Sequence, residues 1–333
     1  MEGKVEGIKE IYFASVAGTY FDFSKLDLSP WGIQGGFIEK KETESFIKSI
    51  SSHDMSDENW KHIKNISQKG YGSGMHADWE TMNLLCPIDV DSPPSQDDYF
   101  EAVEAIRLAH PSEVYIYNIF DANYVKDIGI SFSSWSTYDS FNWYKYSKPE
   151  DHYFNCIGEE LEETNKFLAL FKKRNPSRNY INNAIRYYSD SFNVNSPEMS
   201  FVCLCICLET IVPGKEQLSF RFRRNLAVLC GESDVNSQHI YERAKNLYNY
   251  RSKLVHSGMS SKDFKQFDSF FKYAQFLASR MIIEMLLHDI PAIEELDKRV
   301  TGLGFGDGNL ISAEYKALKP SIISWAKVSH YDF

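Results

Sequence analysis

Long apolar runs are missing from this chain of 333 residues. The longest, FVCLCICL from Phe201 to Leu208, falls far short of the ~20 residues that span a bilayer. The opening MEGKVEGIKE has no basic stretch followed by an apolar one, so no secretory leader is expected. Neither end carries a lipidation motif. These gaps argue against a membrane partner and for a cytoplasmic protein. Cysteine is sparse, at 6, and none of it sits in a CxxC or near a histidine at zinc spacing. Cys203, Cys205 and Cys207 alternate in a helical stretch, where residues two apart point ~200° away from each other. Such a set can neither chelate one ion nor pair within itself, so buried reduced thiols are expected, with no metal and no cofactor.

Two motifs fail on inspection. GLGFGDG (302–308) is glycine-rich, but no Lys-Ser/Thr follows and it does not join a strand to a helix. It reads as a flexible loop. MHADW (75–79) offers one histidine beside acids, with no second histidine at chelating distance.

Basic excess is also absent, since the net charge is −10. That excludes a general affinity for nucleic acid. The charge is uneven, however. Residues 1–177 carry a balance of −12, while residues 178–290 carry +3. A local polyanion site therefore remains open in the second region.

What is present is 43% apolar and 25% charged residues, the makeup of a globular protein, with chain enough for two domains. The first part reads as mixed α and β. KEIYFASVAG, SEVYIYNIF and DIGISFSSWS look like strands, DDYFEAVEAIRLAH (97–110) like a helix, and CPIDVDSPPSQDD (86–98) like a loop entering it. From Glu159 the pattern turns helical, first in EELEETNKFLALFKKRN and then in five further segments with short breaks. Ser196 and Pro197 suit a helix N-cap and first position, and the Ser-Ser before Lys262 suits another cap. The expected layout is an α+β N-terminal domain over 1–158 and an all-α antiparallel bundle over 159–290, with its core at 178–290. A C-terminal tail spans 291–333.

Charged residues in the bundle stand out. Ile240, Ala244, Leu247 and Leu254 form one apolar stripe of a helix, and Arg251 lies on it. Glu209 sits in FVCLCICLETIV, an apolar run, where an unpaired carboxylate would cost several kcal/mol. It must be protonated or paired, with Arg251 or with one of Arg221, Arg223 and Arg224. His256 follows Arg251 by five residues, about 140° and ~7.5 Å along a regular helix. The two cannot easily face one point unless the helix loosens at His256 or a twofold partner supplies a second copy. Arginine gives planar bidentate donors to phosphate, and imidazoles exchange protons near neutrality. Together they suit a phosphodiester.

LYNYRSKLVHSG, with the upstream CLETIV helix and RFRRNLAVLCG between them, resembles the Apea-like group of HEPN domains. The shared hallmark is Arg-x4–6-His near a helix end after Tyr-x-x-Arg, here Tyr248, Arg251 and His256, with Gly258 closing the helix. The likeness covers about a third of the chain. It implies a metal-independent endoribonuclease, acting as a homodimer in phage defence or a toxin–antitoxin system. Arg251 would hold the scissile phosphate and His256 would move a proton during attack of the ribose 2′-hydroxyl. Tyr248, Ser252 and Glu209 would support them, while Arg221, Arg223, Arg224 and Lys253 would contact the RNA backbone. Many active members carry Asn, Asp or His directly after the arginine. Ser252 stands there instead, and its hydroxyl can still hydrogen-bond.

A second function class stays open: a catalytically inactive HEPN bundle kept for dimerisation. In either case the aromatic-rich N-terminal domain would bind a protein trigger, inhibitor or other partner.

Overall fold

The computed structural model describes residues 8–19, 21–39, 81–126, 129–137, 153–174, 179–214, 216–257, 260–261, 266–312 and 328. They form two compact units. The first comprises the described residues up to Ile106, Ser112–Thr137 and Tyr153–Leu161, and the second Arg107–Pro111 and the described residues from Glu162 onward. His76 and Gly258 lie outside the described residues.

The first unit is built on a five-stranded antiparallel sheet in the order β2-β3-β1-β4-β5. Its strands are β1 (Ile8–Ala17), β2 (Ile33–Glu39), β3 (Thr81–Pro87), β4 (Tyr115–Val125) and β5 (Gly129–Thr137). Alternation sends Ile11 and Phe13 to one face, opposite Ala122 and Phe120 of β4. There they join Leu84, Cys86 and Ile130 in a buried cluster. Helix α1 (Gln96–Ala109) starts at a carboxylate cap: Asp98 Oδ2 accepts from the Ser95 N–H at 2.9 Å and from the Ser95 hydroxyl at 2.6 Å. The Tyr99 hydroxyl of α1 donates to the Tyr12 carbonyl.

Strands β1, β4 and β5 fall where alternation places them. Strands β2 and β3 do not, and β3 corrects the expected loop, which begins only after Pro87. In β2, the Gly35-Gly36 pair interrupts the alternation that marks a strand. Gly35 is there for space, because a Cβ would lie 2.2 Å from the Phe23 carbonyl oxygen.

The second unit is a helical bundle, and no strand lies among its described residues. Its helices are α2 (Glu159–Arg174, of which Glu162 onward belongs to this unit), α3 (Asn179–Asn193), α4 (Pro197–Glu209), α5 (Leu218–Cys230), α6 (Asp234–Ser257), α7 (Phe267–His288) and α8 (Ile293–Thr301). Ser196 caps α4 as expected, accepting from the Met199 N–H at 3.3 Å. Helix α7 starts at Phe267, later than the Ser-Ser signal suggested. It packs against α3, α4 and α5 and is buried on nearly every side, the signature of a core helix.

Helical packing continues beyond residue 290. Helix α8 lies on α5, and the glycine-rich stretch at 302–308 is seated rather than loose. Arg224 donates to the carbonyls of Val300 at 2.8 Å, Thr301 at 3.1 Å and Leu303. Gly306 donates to Ser237 Oγ at 3.1 Å. Gly308 approaches α5 so closely that a Cβ would meet the Val228 carbonyl oxygen at 2.4 Å. The glycines permit this seat, and it replaces the expected flexible loop.

No helix among the described residues is long and apolar enough to cross a membrane.

Candidate functional site

Helix α6 buries Ile240, Ala244 and Leu247 completely, so the apolar stripe is the core-facing side. Tyr250 closes it. Its ring meets Phe201 of α4 at 5.3 Å and Phe270 of α7 at 5.5 Å, which fixes the rotation of the next turn. Arg251 comes directly after.

Glu209 is the last residue of α4, at the point where the apolar run ends. The sequence expectation of a buried, paired carboxylate is met in part. Arg251 Nε lies 3.9 Å from Glu209 Oε1, too far for a hydrogen bond, and the side chains keep 27% and 33% of their exposure. Burial pushes the Glu209 carboxyl above the usual range, and Arg251 pulls it back only partly. The C-terminal end of a helix dipole is also a poor place for a negative charge. A half-exposed pair at this distance is worth at most ~1 kcal/mol.

Arg251 Nε is itself buried and makes no hydrogen bond. That sets Arg251 apart from the arginines of α5. Arg221 donates to the Pro213 carbonyl at 2.7 Å and pairs with Asp297 at 2.8 Å. Arg223 lies 3.8 Å above the Tyr241 ring and donates to that residue's carbonyl at 3.1 Å. Arg224 binds three carbonyls at and just beyond the end of α8. The structure therefore engages Arg221, Arg223 and Arg224 inside the bundle and does not gather them around Arg251.

The rest of the motif lies on the outer side of the same helix end. Lys253 and His256 are exposed, Ser252 is half-buried, and Tyr248 leans on Phe222 of α5 at 6.0 Å between ring centres. Helix α6 is unbroken through Ser257, so it does not loosen at His256. Of the two routes to convergence read from the sequence, the one within a single helix is removed.

Cys86, Cys205, Cys207 and Cys230 are buried, and burial raises each thiol well above its usual range, to about 12 for Cys86. Cys205 lies close enough to feel both Glu209 and Arg251.

One polar cluster escaped sequence reading. On α7, Arg280, Glu284 and His288 recur every fourth residue on one buried stripe. Arg280 donates to the Cys230 carbonyl at 2.7 Å, to Glu232 at 2.9 Å and to Glu284 at 2.8 Å. His288 Nε2 lies 3.7 Å from Glu284 Oε2. Burial first, and the Arg299 charge second, depress the His288 imidazole to about 4. The signal was available, because three polar residues at spacing four interrupt SRMIIEMLLH.

Comparison of the chain with protein-family models, curated proteins and solved structures finds no match.

Proposed function

We propose that the helical unit is a HEPN-type, metal-independent endoribonuclease that works as a homodimer. The observation that carries this reading is Arg251, a guanidinium held on a core stripe with a buried Nε that donates no hydrogen bond. No phosphate can reach that buried nitrogen, but the side chain keeps 27% of its exposure, and the outer N–H groups of a guanidinium suit phosphate oxygens. His256, exposed on the same helix end, is the group that can move protons there.

Because α6 is regular to Ser257, Arg251 and His256 of one copy diverge by about 140°. Two copies related by a twofold axis near this helix end would place one protomer's guanidinium beside its partner's imidazole. In that arrangement the ribose 2′-oxygen attacks the adjacent phosphorus while an imidazole takes its proton. The P–O5′ bond breaks, and the departing 5′-oxygen receives a proton. The products are a 2′,3′-cyclic phosphate and a 5′-hydroxyl. Arg251 stabilises the charge that grows on the non-bridging oxygens, a contribution of roughly 3–4 kcal/mol per donor in comparable sites. Lys253 and Ser252 would hold the neighbouring backbone. The cellular role would be that of a cytoplasmic effector in phage defence or a toxin–antitoxin system, with the acidic N-terminal unit binding a protein trigger or inhibitor.

One observation favours the second reading, a bundle used for dimerisation alone: Glu209 already balances part of the Arg251 charge. The deciding experiment is incubation of purified full-length protein with structured and unstructured RNA in EDTA, beside His256→Ala. The nuclease reading expects 2′,3′-cyclic ends from the wild type and none from the variant. Equal cleavage by both removes His256 as a catalyst. A wild-type dimer without cleavage supports the dimerisation module.

A further inference from the structure

We infer that Glu198 is a positioning residue for His256, acting through its bonds to Ser260 and Ser261. The inference rests on the nuclease reading for its functional meaning, but its geometry is independent of it.

Glu198 lies in the first turn of α4, where the N-terminal helix dipole favours a carboxylate. One of its oxygens accepts from the capping Ser196 hydroxyl at 2.8 Å. The other accepts the Ser261 backbone N–H at 2.7 Å, with the Ser260 hydroxyl at 3.5 Å. These bonds join positions more than sixty residues apart in sequence. Ser261 is five residues beyond His256, so the carboxylate grips the chain shortly after it leaves α6.

The same helix holds the other side of the motif. Glu198, Phe201, Cys205 and Glu209 recur at spacings of three and four, one face of α4. Along that face come, in order, Ser260–Ser261, the Tyr250 ring and Arg251. Tyr250 fixes the turn before Arg251, and Glu198 fixes the chain after His256. Between those two anchors, Lys253, Val255, His256 and Ser257 are exposed. His256 therefore lies between two anchored points of the chain, Tyr250 and Ser261.

The anchor persists over any ordinary assay range. Burial opposes the Glu198 charge, but donation from Ser261 and Ser196 outweighs it and holds the carboxyl at about 2.

The test uses full-length protein in four forms: wild type, Glu198→Ala, Glu198→Asp and Glu198→Gln. Three quantities are read: exchange of the Ser261 amide, the 13C-labelled ring signal of His256 with that of His239 as control, and RNA cleavage in EDTA. In Glu198→Ala the Ser261 amide exchanges faster and the His256 ring signal shifts or broadens, while His239 is unchanged. Cleavage falls mainly in kcat, by about 10-fold to 10²-fold as a small misplacement of a reacting group does, with KM changed less than about twofold. Glu198→Gln, which keeps an acceptor, recovers most of both losses. If Glu198→Ala does not fold, the Glu198→Asp and Glu198→Gln variants give the same readouts. A His256 signal and kcat at wild-type values, with Ser261 exchange accelerated, overturn the inference. If the wild type cleaves no RNA, the nuclease reading fails by itself. The His256 ring signal then still decides whether Glu198 places the imidazole.

Discussion

Arg280 and Arg251 belong to the same bundle, each facing a glutamate, and they differ in how fully the protein uses them. Arg280 keeps 4% of its side-chain exposure and Glu284 keeps 1%, and the guanidinium reaches three acceptors between 2.7 and 2.9 Å. It closes the connection between α5 and α6 by taking the Cys230 carbonyl and Glu232. Arg251 has one carboxylate at 3.9 Å and a buried Nε with no acceptor. A buried charge is tolerated when its donors are satisfied, and Arg280 meets that condition inside the fold. Arg251 does not. The contrast separates a guanidinium that holds the bundle from one whose Nε the bundle leaves without an acceptor.

Substitutions at the two positions sharpen this difference. Arg280→Ala should lose about 3–5 kcal/mol of unfolding free energy, since it leaves Glu284 buried without its partner. Urea denaturation checks this, and a loss under about 1 kcal/mol would break the comparison from the Arg280 side. On the proposed nuclease reading, His256→Ala should lower cleavage by ~10²–10⁴-fold, the usual share of a proton-transfer group, while circular dichroism and the oligomeric state stay those of the wild type.

The buried stripe of α7 makes a pH prediction. His288 is depressed from 6.5 to about 4, so the folded state resists its protonation. Its contribution to stability is fully present above the unfolded value near 6.5 and is lost as pH falls from there to about 4. A shift of this size corresponds to about 3 kcal/mol at full effect. His288→Gln should flatten the decline of stability over that range. An unchanged pH profile would show that another group causes it.

The smallest effect belongs to Glu209→Gln. A carboxyl raised by burial favours folding below its unfolded value and loses that advantage as pH rises through the folded one. At neutral pH the charge is therefore a burden that Arg251 offsets only in part. The substitution should change stability by less than about 1 kcal/mol. The apolar run around Glu209 gave the expectation of a buried carboxyl, protonated or paired, and the structure meets it in part. The helix ends at Glu209, and an end residue escapes the burial of the residues before it.

The rest of the sequence reading divides along similar physical lines. Periodicity placed helices α2–α6 and strands β1, β4 and β5, because those elements present one face to a core. It did not find β2, where Gly35 makes room for the Phe23 carbonyl, since a glycine pair carries no alternation to read. The 302–308 turn read as loose for a related reason: its order comes from Arg224 and Ser237, which lie far away in sequence. That Arg251 follows the core stripe of α6 and that His256 lies near the helix end was legible from spacing. That Arg221, Arg223 and Arg224 are engaged within the bundle was not. Their partners are backbone carbonyls, Asp297 and the Tyr241 ring, and no local pattern announces them.

The comparison is tested most directly at Arg251 itself, by measuring cleavage and unfolding on the same preparation of Arg251→Ala. The account predicts that RNA cleavage in EDTA disappears while the urea midpoint stays within the equivalent of about 1 kcal/mol of wild type, as for a half-exposed pair. Full cleavage per folded molecule would contradict it. So would a loss of stability as large as that of Arg280→Ala, which would make Arg251 another structural guanidinium.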